Sequence, residues 1–299
     1  MNILLFWLHI GIAATSSWSP LPPPLAPAHN PVTAPKIALG KQLFHEQGLS
    51  ATGAYSCASC HQPDRYFTDG AALAVGASGQ TLALNTPTLY YSAFNASQGW
   101  LDSGAQTLEQ QHLTPLQATD PIEMGYRPQL LQRLLQQPEY AIAFAQAFGD
   151  QQPYDITHVV NALASYLRSL QPPMTAFDRY LFYDEALPPS ARAGMALFFS
   201  ERLGCSHCHA SISLSGPIQH SQVQANPVFH AMGVGGSQAA FRAPTLRYIR
   251  HTAPYMHDGS MSTLASVITH YQNTPSPRVP EFKLSAQEVR QLIDFLNVL

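Results

Sequence analysis

The chain has 299 residues, of which 45% are hydrophobic and 11% are charged, and its formal net charge is −3 at pH 7. This length allows one large domain or two of ordinary size, and the apolar content is enough for a buried core. A nearly neutral chain with so few charges gives no sign of binding to nucleic acid or to an anionic membrane surface, so we expect neither partner.

The first predicted element is an apolar run, Ile3–Ala14, which has the length of a signal-peptide core and is too short to span a bilayer. Small residues follow the run, but no Lys or Arg precedes it. We therefore predict a signal peptide over residues 1–19, with an uncleaved membrane anchor as the alternative, and export to the periplasm. Residues 20–36 are rich in proline and are predicted to form an extended, mobile arm outside the core.

The body of the chain begins near Ile37 and contains a weak internal repeat. The pattern G-x-x-L-F occurs in LGKQLFHE before the first cysteine pair and in RAGMALFFSE before the second pair, and both stretches are predicted to be helical. The repeat indicates two related halves with a boundary near Pro172–Pro189.

Further helices are predicted from the spacing of apolar residues. Residues 128–149 show a helical pattern that Pro138 should kink or split. Residues 155–171 place their apolar side chains on one face, with Asp155 as N-cap. A short helix is predicted in STLASVITHY, and the last helix opens with a capping box that starts at Ser285. Since no alternating run is long enough for a sizeable sheet, the predicted fold class is mainly α, with long loops and little sheet.

All four cysteines of the chain lie in two copies of the pattern C-x-x-C-H. Two thiols separated by two residues can form thioethers with the two vinyl groups of one haem, and the histidine that follows becomes the proximal iron ligand. A zinc site commonly uses two cysteine pairs that meet in space, but neither it nor a thioredoxin-like redox pair requires the adjoining histidine. We therefore predict two covalently bound haem c groups, one on Cys57, Cys60 and His61 and one on Cys205, Cys208 and His209.

Attachment of haem c takes place on the outer side of the bacterial inner membrane, which supports the prediction of export. Each half of the body carries one attachment site. The predicted organisation is therefore two cytochrome c-like haem domains, an N-terminal one over residues 37–172 and a C-terminal one over residues 173–299.

Four further motifs, LNTPTL, DPIEMG, FRAPTLR and TAPYMHDGSMSTL, accompany the two C-x-x-C-H sites in a fixed order. Together they resemble the bacterial di-haem cytochrome c peroxidase and MauG superfamily over about Ile37–Leu299. The resemblance implies an N-terminal haem that reacts with hydrogen peroxide and a C-terminal haem that transfers electrons.

Two positions bear on the branch of this superfamily. Members that need reductive activation carry a distal histidine in the loop after the first proximal histidine, and the corresponding residue here is Ala77. The resemblance therefore implies an open coordination site at the first haem, as in MauG-like members. The sixth ligand of the second haem corresponds to Tyr271, where ordinary peroxidases have Met. The adjacent His270 is the rival ligand, and a tyrosine that merely packs in the core is the structural alternative.

A third feature is the stretch Trp100–Gly125, which is longer between Pro115 and Pro121 than in ordinary peroxidases. Its length is similar to that of MbnH, the MauG-like partner of the copper protein MbnP. MbnH-like enzymes convert a tryptophan of their partner to kynurenine. The resemblance thus implies an MbnP-like copper protein as the partner.

Several other residues match functional positions of the superfamily. Glu123 in DPIEMG matches the carboxylate that moves protons during cleavage of the peroxide bond, and Gln111 and Pro115 match residues that share its distal pocket. With the longer, MbnH-like spacing, Trp100 matches the tryptophan between the haems, whereas a gapless alignment to ordinary peroxidases places Leu101 at that position. The other two tryptophans are in the signal and the arm. An exposed glutamate at a helix start and a core tryptophan are the structural alternatives.

The resemblance also implies a calcium ion between the haems. Its ligands would be the side chain of Asn85 and the backbone carbonyls of Thr252 and Pro254, because oxygen donors from loops suit calcium. Asn85 as a simple turn residue is the alternative.

Three functions are compatible with these features. The first is a MauG-like enzyme that reacts with hydrogen peroxide, reaches a high-valent di-haem state and oxidises a residue of a partner protein by long-range electron transfer. The second is a cytochrome c peroxidase that reduces peroxide to water with electrons from a small cytochrome c or cupredoxin. The third is an electron carrier without enzymatic activity. Ala77 and Tyr271 favour the first function over the second, and Glu123 disfavours the third.

Overall fold

The structure is a computed structural model that describes residues 21–101, 104–150, 153–231, 239–274 and 279–299. The predicted signal peptide, residues 1–19, lies outside these ranges. None of the helices within them is long and apolar enough to cross a membrane.

The described ranges are mainly helical, which confirms the predicted fold class. They contain one antiparallel two-stranded sheet, in which β1 (Phe229–Ala231) pairs with β2 (Ala240–Arg242) and His230 lies opposite Phe241. Their α-helices are α1 Ala34–His45, α2 Cys57–Cys60, α3 Leu108–Gln117, α4 Pro128–Leu134, α5 Pro138–Phe148, α6 Ile156–Ser169, α7 Ala176–Phe182, α8 Pro189–Phe198, α9 Leu264–Asn273 and α10 Ala286–Leu296.

The helix ends follow the local signals in the sequence. Pro138 splits the predicted helix over residues 128–149, because α4 ends at Leu134 and α5 begins with Pro138 as its first residue. Asp155 caps α6 by accepting a hydrogen bond from the backbone N–H of Thr157. The capping box at the start of α10 is formed as predicted.

The G-x-x-L-F repeat marks a close contact between two helices in each half. A Cβ atom on Gly40 of α1 would lie 2.0 Å from the carbonyl oxygen of Ala162 in α6. A Cβ atom on Gly194 of α8 would lie 1.8 Å from the carbonyl oxygen of Gln291 in α10. Glycine is needed at both positions because any side chain would push the paired helices apart.

Two large hydrophobic clusters form most of the core, besides a smaller third cluster that contains Leu21, Tyr91 and Tyr248. One joins residues between Leu39 and Leu170, and the other joins residues between Ala176 and Leu299. The interruption between Leu170 and Ala176 falls where the sequence places the domain boundary, and the division into two haem domains at residues 172 and 173 stays a prediction.

The proline-rich segment corrects one expectation. Residues 20–36 were expected to form a mobile arm, but α1 already begins at Ala34 and the segment before it packs on the body. Asn30 is fully buried and donates a hydrogen bond of 2.7 Å to Glu109, and the carbonyl oxygen of Leu25 accepts one of 2.9 Å from Arg168. Prolines remove donors but leave carbonyl acceptors, so an extended segment can still be held by side chains of the body.

Candidate functional site

The first C-x-x-C-H motif forms a single helical turn followed by its histidine. Cys57 and Cys60 are the first and last residues of α2, so their thiols lie on the same side of the turn. Burial raises the pKa of Cys57 to about 12 and that of Cys60 to about 11. The two sulfur atoms therefore lie in apolar surroundings, as suits cysteines that would bond to a largely apolar porphyrin.

Both proximal histidines are oriented by a backbone carbonyl. The Nδ1–H of His61 donates to the carbonyl oxygen of Phe67 at 3.0 Å, and the Nδ1–H of His209 donates to that of Leu214 at 3.0 Å. Burial lowers the pKa of both, that of His209 to about 4, so the imidazoles are neutral. A neutral imidazole that donates from Nδ1 presents the lone pair of Nε2, which is the atom a haem iron requires.

The second motif opens into a large apolar cavity between the two halves of the chain. Its lining includes Cys205, Cys208, His209 and Tyr271. Burial and the proximity of both cysteine sulfurs raise the pKa of Tyr271. The cavity thus brings the two thiols, His209 and a phenol oxygen to one space, which fits a covalently attached haem c that these residues would hold.

The rival sixth ligand occupies a different position. His270 precedes Tyr271 on α9 but does not belong to the described lining of the cavity. Its Nε2 is buried and has no hydrogen-bond partner among the described residues. The geometry favours Tyr271 over His270, and the ligand itself stays a prediction.

The cavity also contains a guanidinium group that was not predicted from the sequence. Arg242 on β2 donates from Nε to the carbonyl oxygen of Gly99 at 2.9 Å and from Nη1 to that of Ala243 at 3.1 Å. It has no carboxylate partner among the described residues, and burial lowers its pKa to about 10. A buried cation that lacks an anion fits the carboxylate of a haem propionate. The available signal was an Arg within the motif FRAPTLR.

The distal residues predicted for the first haem also come together. Gln111 and Pro115 lie one turn apart on α3, and the backbone N–H of Met124 donates to the carbonyl oxygen of Pro115 at 3.0 Å. This bond folds the loop that carries Glu123 back onto α3. Burial raises the pKa of Glu123, whose carboxyl lies close enough to Cys60 to raise the pKa of that thiol.

The loop that lacks the distal histidine lies directly against this carboxylate segment. The backbone N–H of Ala77 donates to the carbonyl oxygen of Glu123 at 2.7 Å, and Ala77 is buried. A Cβ atom on Gly76 would lie 2.2 Å from the carbonyl oxygen of Ile122. The position at which the resemblance predicts the distal histidine of reductively activated members therefore carries only a methyl group in a tightly packed loop.

Trp100 connects the two sites. Its side chain lines the cavity of the second motif, and its indole Nε1–H donates to the carbonyl oxygen of Asn85 at 2.7 Å. The preceding residue, Gly99, contacts the side chain of Gln111, since a Cβ atom there would lie 3.2 Å from the Gln111 Oε1. Trp100 is buried and lies between a distal residue of the first site and the cavity of the second.

The three predicted calcium ligands line the same cavity. Asn85, Thr252 and Pro254 all belong to it, and Asn85 is buried. The Asn85 Nδ2 donates to the carbonyl oxygens of Ala71 and Ala72 at 2.9 and 3.1 Å, which leaves Oδ1 as an acceptor. These oxygen atoms fit calcium. No cluster of three or more His, Cys, Asp or Glu side chains able to hold a metal ion occurs among the described residues.

A second internal repeat was not predicted from the sequence. The carbonyls of Pro87 in LNTPTL and Pro244 in FRAPTLR contribute to the surroundings of His61 and His209 respectively. The shared letters P-T-L mark these equivalent positions in the two halves.

Comparisons with known proteins agree with this geometry. The family model for di-haem cytochrome c peroxidase matches residues 34–186. The methylamine utilization protein MauG of Methylorubrum extorquens is 35% identical, over 91% of this chain and 80% of that relative. The cytochrome c551 peroxidase of Nitrosomonas europaea is 30% identical, over 91% of this chain and 82% of its own length. The crystal structure of a MauG-like protein associated with microbial copper homeostasis superposes with a TM-score of 0.88 at 31% identity, over 96% of this chain and 95% of that one.

Proposed function

The chain belongs to the di-haem cytochrome c peroxidase and MauG family of oxidoreductases, and from this membership we propose that it uses hydrogen peroxide to oxidise a tryptophan of a partner protein to kynurenine. Membership implies two haem c groups, held by the two C-x-x-C-H motifs. When bound, they supply the reaction with peroxide and retain its two oxidising equivalents. The partner need not enter a pocket, because electrons rather than atoms cross the interface.

One observation carries the proposal. Ala77 lies against Glu123, at the position where a peroxidase that is activated by reduction would have a histidine. With a methyl group there, no side chain of this loop can bind the first iron. The distal side is then open to peroxide without prior reduction, which is the MauG-like behaviour.

Glu123 is the proposed acid and base on this open side. Cleavage of the peroxide bond needs a proton taken from one oxygen and delivered to the other. Burial raises the pKa of Glu123 above that of an exposed carboxyl, which suits a group that both accepts and returns a proton. The Oε1 of Gln111 is buried and has no hydrogen-bond partner among the described residues, so it is available to accept a hydrogen bond from a peroxide molecule on this side.

Electrons are proposed to pass between the sites through Trp100. Its ring lines the second cavity while its neighbour Gly99 contacts Gln111 on the distal side of the first site. The Tyr271 oxygen would be the sixth ligand of the second haem iron, and an oxygen donor there would stabilise oxidised states of the iron. Asn85, Thr252 and Pro254 are proposed to bind a calcium ion beside this relay.

An MbnP-like copper protein is the proposed partner. Two features support it: the longer stretch before DPIEMG, and the likeness to a MauG-like protein associated with microbial copper homeostasis. The proposal places the enzyme in the periplasm, where c-type haems are attached, either free or held by an uncleaved N-terminal anchor.

The second candidate is a peroxidase that reduces peroxide to water with electrons from a small cytochrome c or cupredoxin. It is supported by relatives such as the cytochrome c551 peroxidase of Nitrosomonas europaea. The two functions differ in what the untreated protein does with peroxide.

The decisive experiment adds peroxide to the resting ferric protein and records optical and Mössbauer spectra. Oxidation of both irons above the ferric level without any prior reduction supports the proposed function. A protein that reacts only after one haem has been reduced supports the peroxidase instead. Mass spectrometry of a copper-binding partner candidate, with and without peroxide, then tests for kynurenine, in which the tryptophan side chain has lost one carbon and gained one oxygen.

A further inference from the structure

Three tyrosines and a histidine form a continuous aromatic contact from the haem region to the surface. Tyr90 and Tyr248 have ring centroids 5.2 Å apart, and Tyr248 lies 5.3 Å from Tyr66. Tyr66 stacks on His251 with centroids 4.1 Å apart and ring planes 5° from parallel. Tyr66 also lies 6.3 Å from Tyr90. We call Tyr90, Tyr248, Tyr66 and His251 the tyrosine chain.

The inner end of the tyrosine chain contacts both haem sites. Tyr90 lines the cavity that contains His209. Its ring also packs edge-to-face on Phe67 with centroids 5.1 Å apart, and the carbonyl of Phe67 is the acceptor for His61. Tyr90 is therefore placed to exchange an electron with either site, independently of Trp100.

The outer end reaches solvent. His251 is exposed, Tyr66 is half-buried and Tyr248 is buried. The Nε of Arg250 donates to the Nε2 of His251 at 2.7 Å, which fixes the imidazole that covers the ring of Tyr66. A small molecule in solution can therefore approach Tyr66 and His251 but not Tyr248.

The hydroxyl groups decide where an oxidised tyrosine would persist. A neutral tyrosine loses its phenolic proton when it is oxidised, so it needs a proton acceptor. The Tyr248 hydroxyl donates to the carbonyl oxygen of Pro173 at 2.5 Å, and a carbonyl cannot take up that proton. Burial raises the pKa of Tyr248 and of Tyr90. Tyr66, next to solvent, is the member that can release its proton to water.

We propose that the tyrosine chain is a second electron route, through which the peroxide-oxidised protein without a partner is reduced by a small phenol or ascorbate at Tyr66 and His251. The inference rests on the proposed function, since only a protein that retains oxidising equivalents needs such a route. In each step one electron leaves Tyr66 for the oxidised haem pair and its phenolic proton goes to water. The phenoxyl radical is then reduced by one electron and one proton from the phenol or ascorbate, and two such steps consume both equivalents.

The test compares Tyr66→Phe and Tyr90→Phe with the wild-type holoprotein, because phenylalanine keeps the ring packing and removes the hydroxyl. Tyr183→Phe is the matched control, since Tyr183 is 54% exposed and lies outside the tyrosine chain. Peroxide is added without partner, the oxidised state is followed optically, and samples frozen during the decay are measured by electron paramagnetic resonance.

The expected result is a tyrosyl radical in the wild type and in Tyr183→Phe, and none in Tyr66→Phe. Reduction of the oxidised state by added ascorbate should slow by about tenfold in Tyr66→Phe and Tyr90→Phe. Unchanged radical yield and unchanged ascorbate rates in both variants would overturn the route while leaving the proposed function intact. A wild-type protein that never reaches the oxidised state would instead remove the proposed function and this route together.

Discussion

The backbone N–H of Ala77 donates a hydrogen bond of 2.7 Å to the carbonyl oxygen of Glu123, so the loop without a distal histidine and the loop with the distal carboxylate share one contact. In the proposed function, the side chain at position 77 decides whether the first haem iron is open to peroxide. The proposed function and two of the predictions depend on this relationship.

Ala77→His is expected to convert the first haem from an open to a closed site. An imidazole on this loop would face the space next to Glu123 and could bind the iron. The variant should then be slow to react with peroxide until one haem is reduced, as followed by stopped-flow absorption. Since Ala77 is buried, overpacking should also cost about 1–3 kcal/mol of stability. Ala77→Ser, which cannot bind iron in this way, is the control and should keep the fast reaction.

Glu123→Gln is expected to slow the oxidation of the resting protein by peroxide by about 100- to 10,000-fold, because the amide cannot accept and return a proton. The wild-type rate should rise with pH as the carboxyl ionises, and the midpoint should lie above the ordinary value of 4.5 because burial raises the pKa of Glu123. Rapid-mixing kinetics across pH measure both effects. An unaltered rate of oxidation in Glu123→Gln would show that Glu123 is not the acid and base of this reaction.

Tyr271→Phe is expected to change the low-spin spectrum of the second haem, because the variant removes the oxygen that would bind the iron. His270→Phe should leave that spectrum in place, since His270 lies outside the described lining of the cavity. Electron paramagnetic resonance of the two resting variants distinguishes the ligands. If only the His270 variant changes the spectrum, the assignment of the ligand is wrong by one residue.

Arg242→Gln is expected to lower the reduction potential of the second haem, since a positive charge beside a haem favours its reduced state. Arg242→Lys keeps the charge and should have a smaller effect. Potentiometric titration of the holoprotein measures both. Arg250→Gln, at an exposed position, is the control. Equal potentials in the wild type and in Arg242→Gln would show that the guanidinium does not act on this haem.

The Arg168–Glu109 ion pair is expected to make the N-terminal half sensitive to acid. Burial alone would raise the pKa of Glu109, but two hydrogen bonds from Arg168, of 2.6 and 2.9 Å, outweigh it and lower the pKa to about 2. A lowered pKa means that the pair stabilises the fold fully above the ordinary value of 4.5. That stability is lost as the pH falls toward 2.

Thermal unfolding of the holoprotein measured between pH 6 and about pH 2 tests this dependence. The wild-type melting temperature should fall over this range. Glu109→Gln should be less stable at neutral pH, because it leaves Arg168 buried without its anion, and its melting temperature should depend less on pH. If the melting temperature of Glu109→Gln depends on pH as strongly as that of the wild type, other groups cause the acid sensitivity.

The haem attachment motifs, the helical class and most helix ends could be predicted from the sequence alone. These features depend on residues close together in the chain. Two thiols and a histidine must lie close together in the chain to bind one haem. Apolar residues must recur with the helical period to form a buried helix face. Pro138 and Asp155 each affect only the helix turn in which they lie. The same local character explains why the G-x-x-L-F repeat could be recognised before its contacts were known.

The proline-rich segment shows where local reasoning fails. Its composition predicted an extended arm, and the arm was expected to be mobile. Asn30 and Leu25 are instead held by Glu109 and Arg168, which lie far along the chain. No property of the segment itself encodes those partners.

Which residues lie next to one another in the folded chain could not be predicted from the sequence and became known from the structure. It placed Tyr271 but not His270 on the described lining of the second cavity, and it joined Ala77 to Glu123. The unpaired charge of Arg242 and the contact between Tyr66 and His251 likewise became visible only after folding. The physical reason is that packing brings together residues from distant parts of the chain, and neither spacing nor composition records those distances.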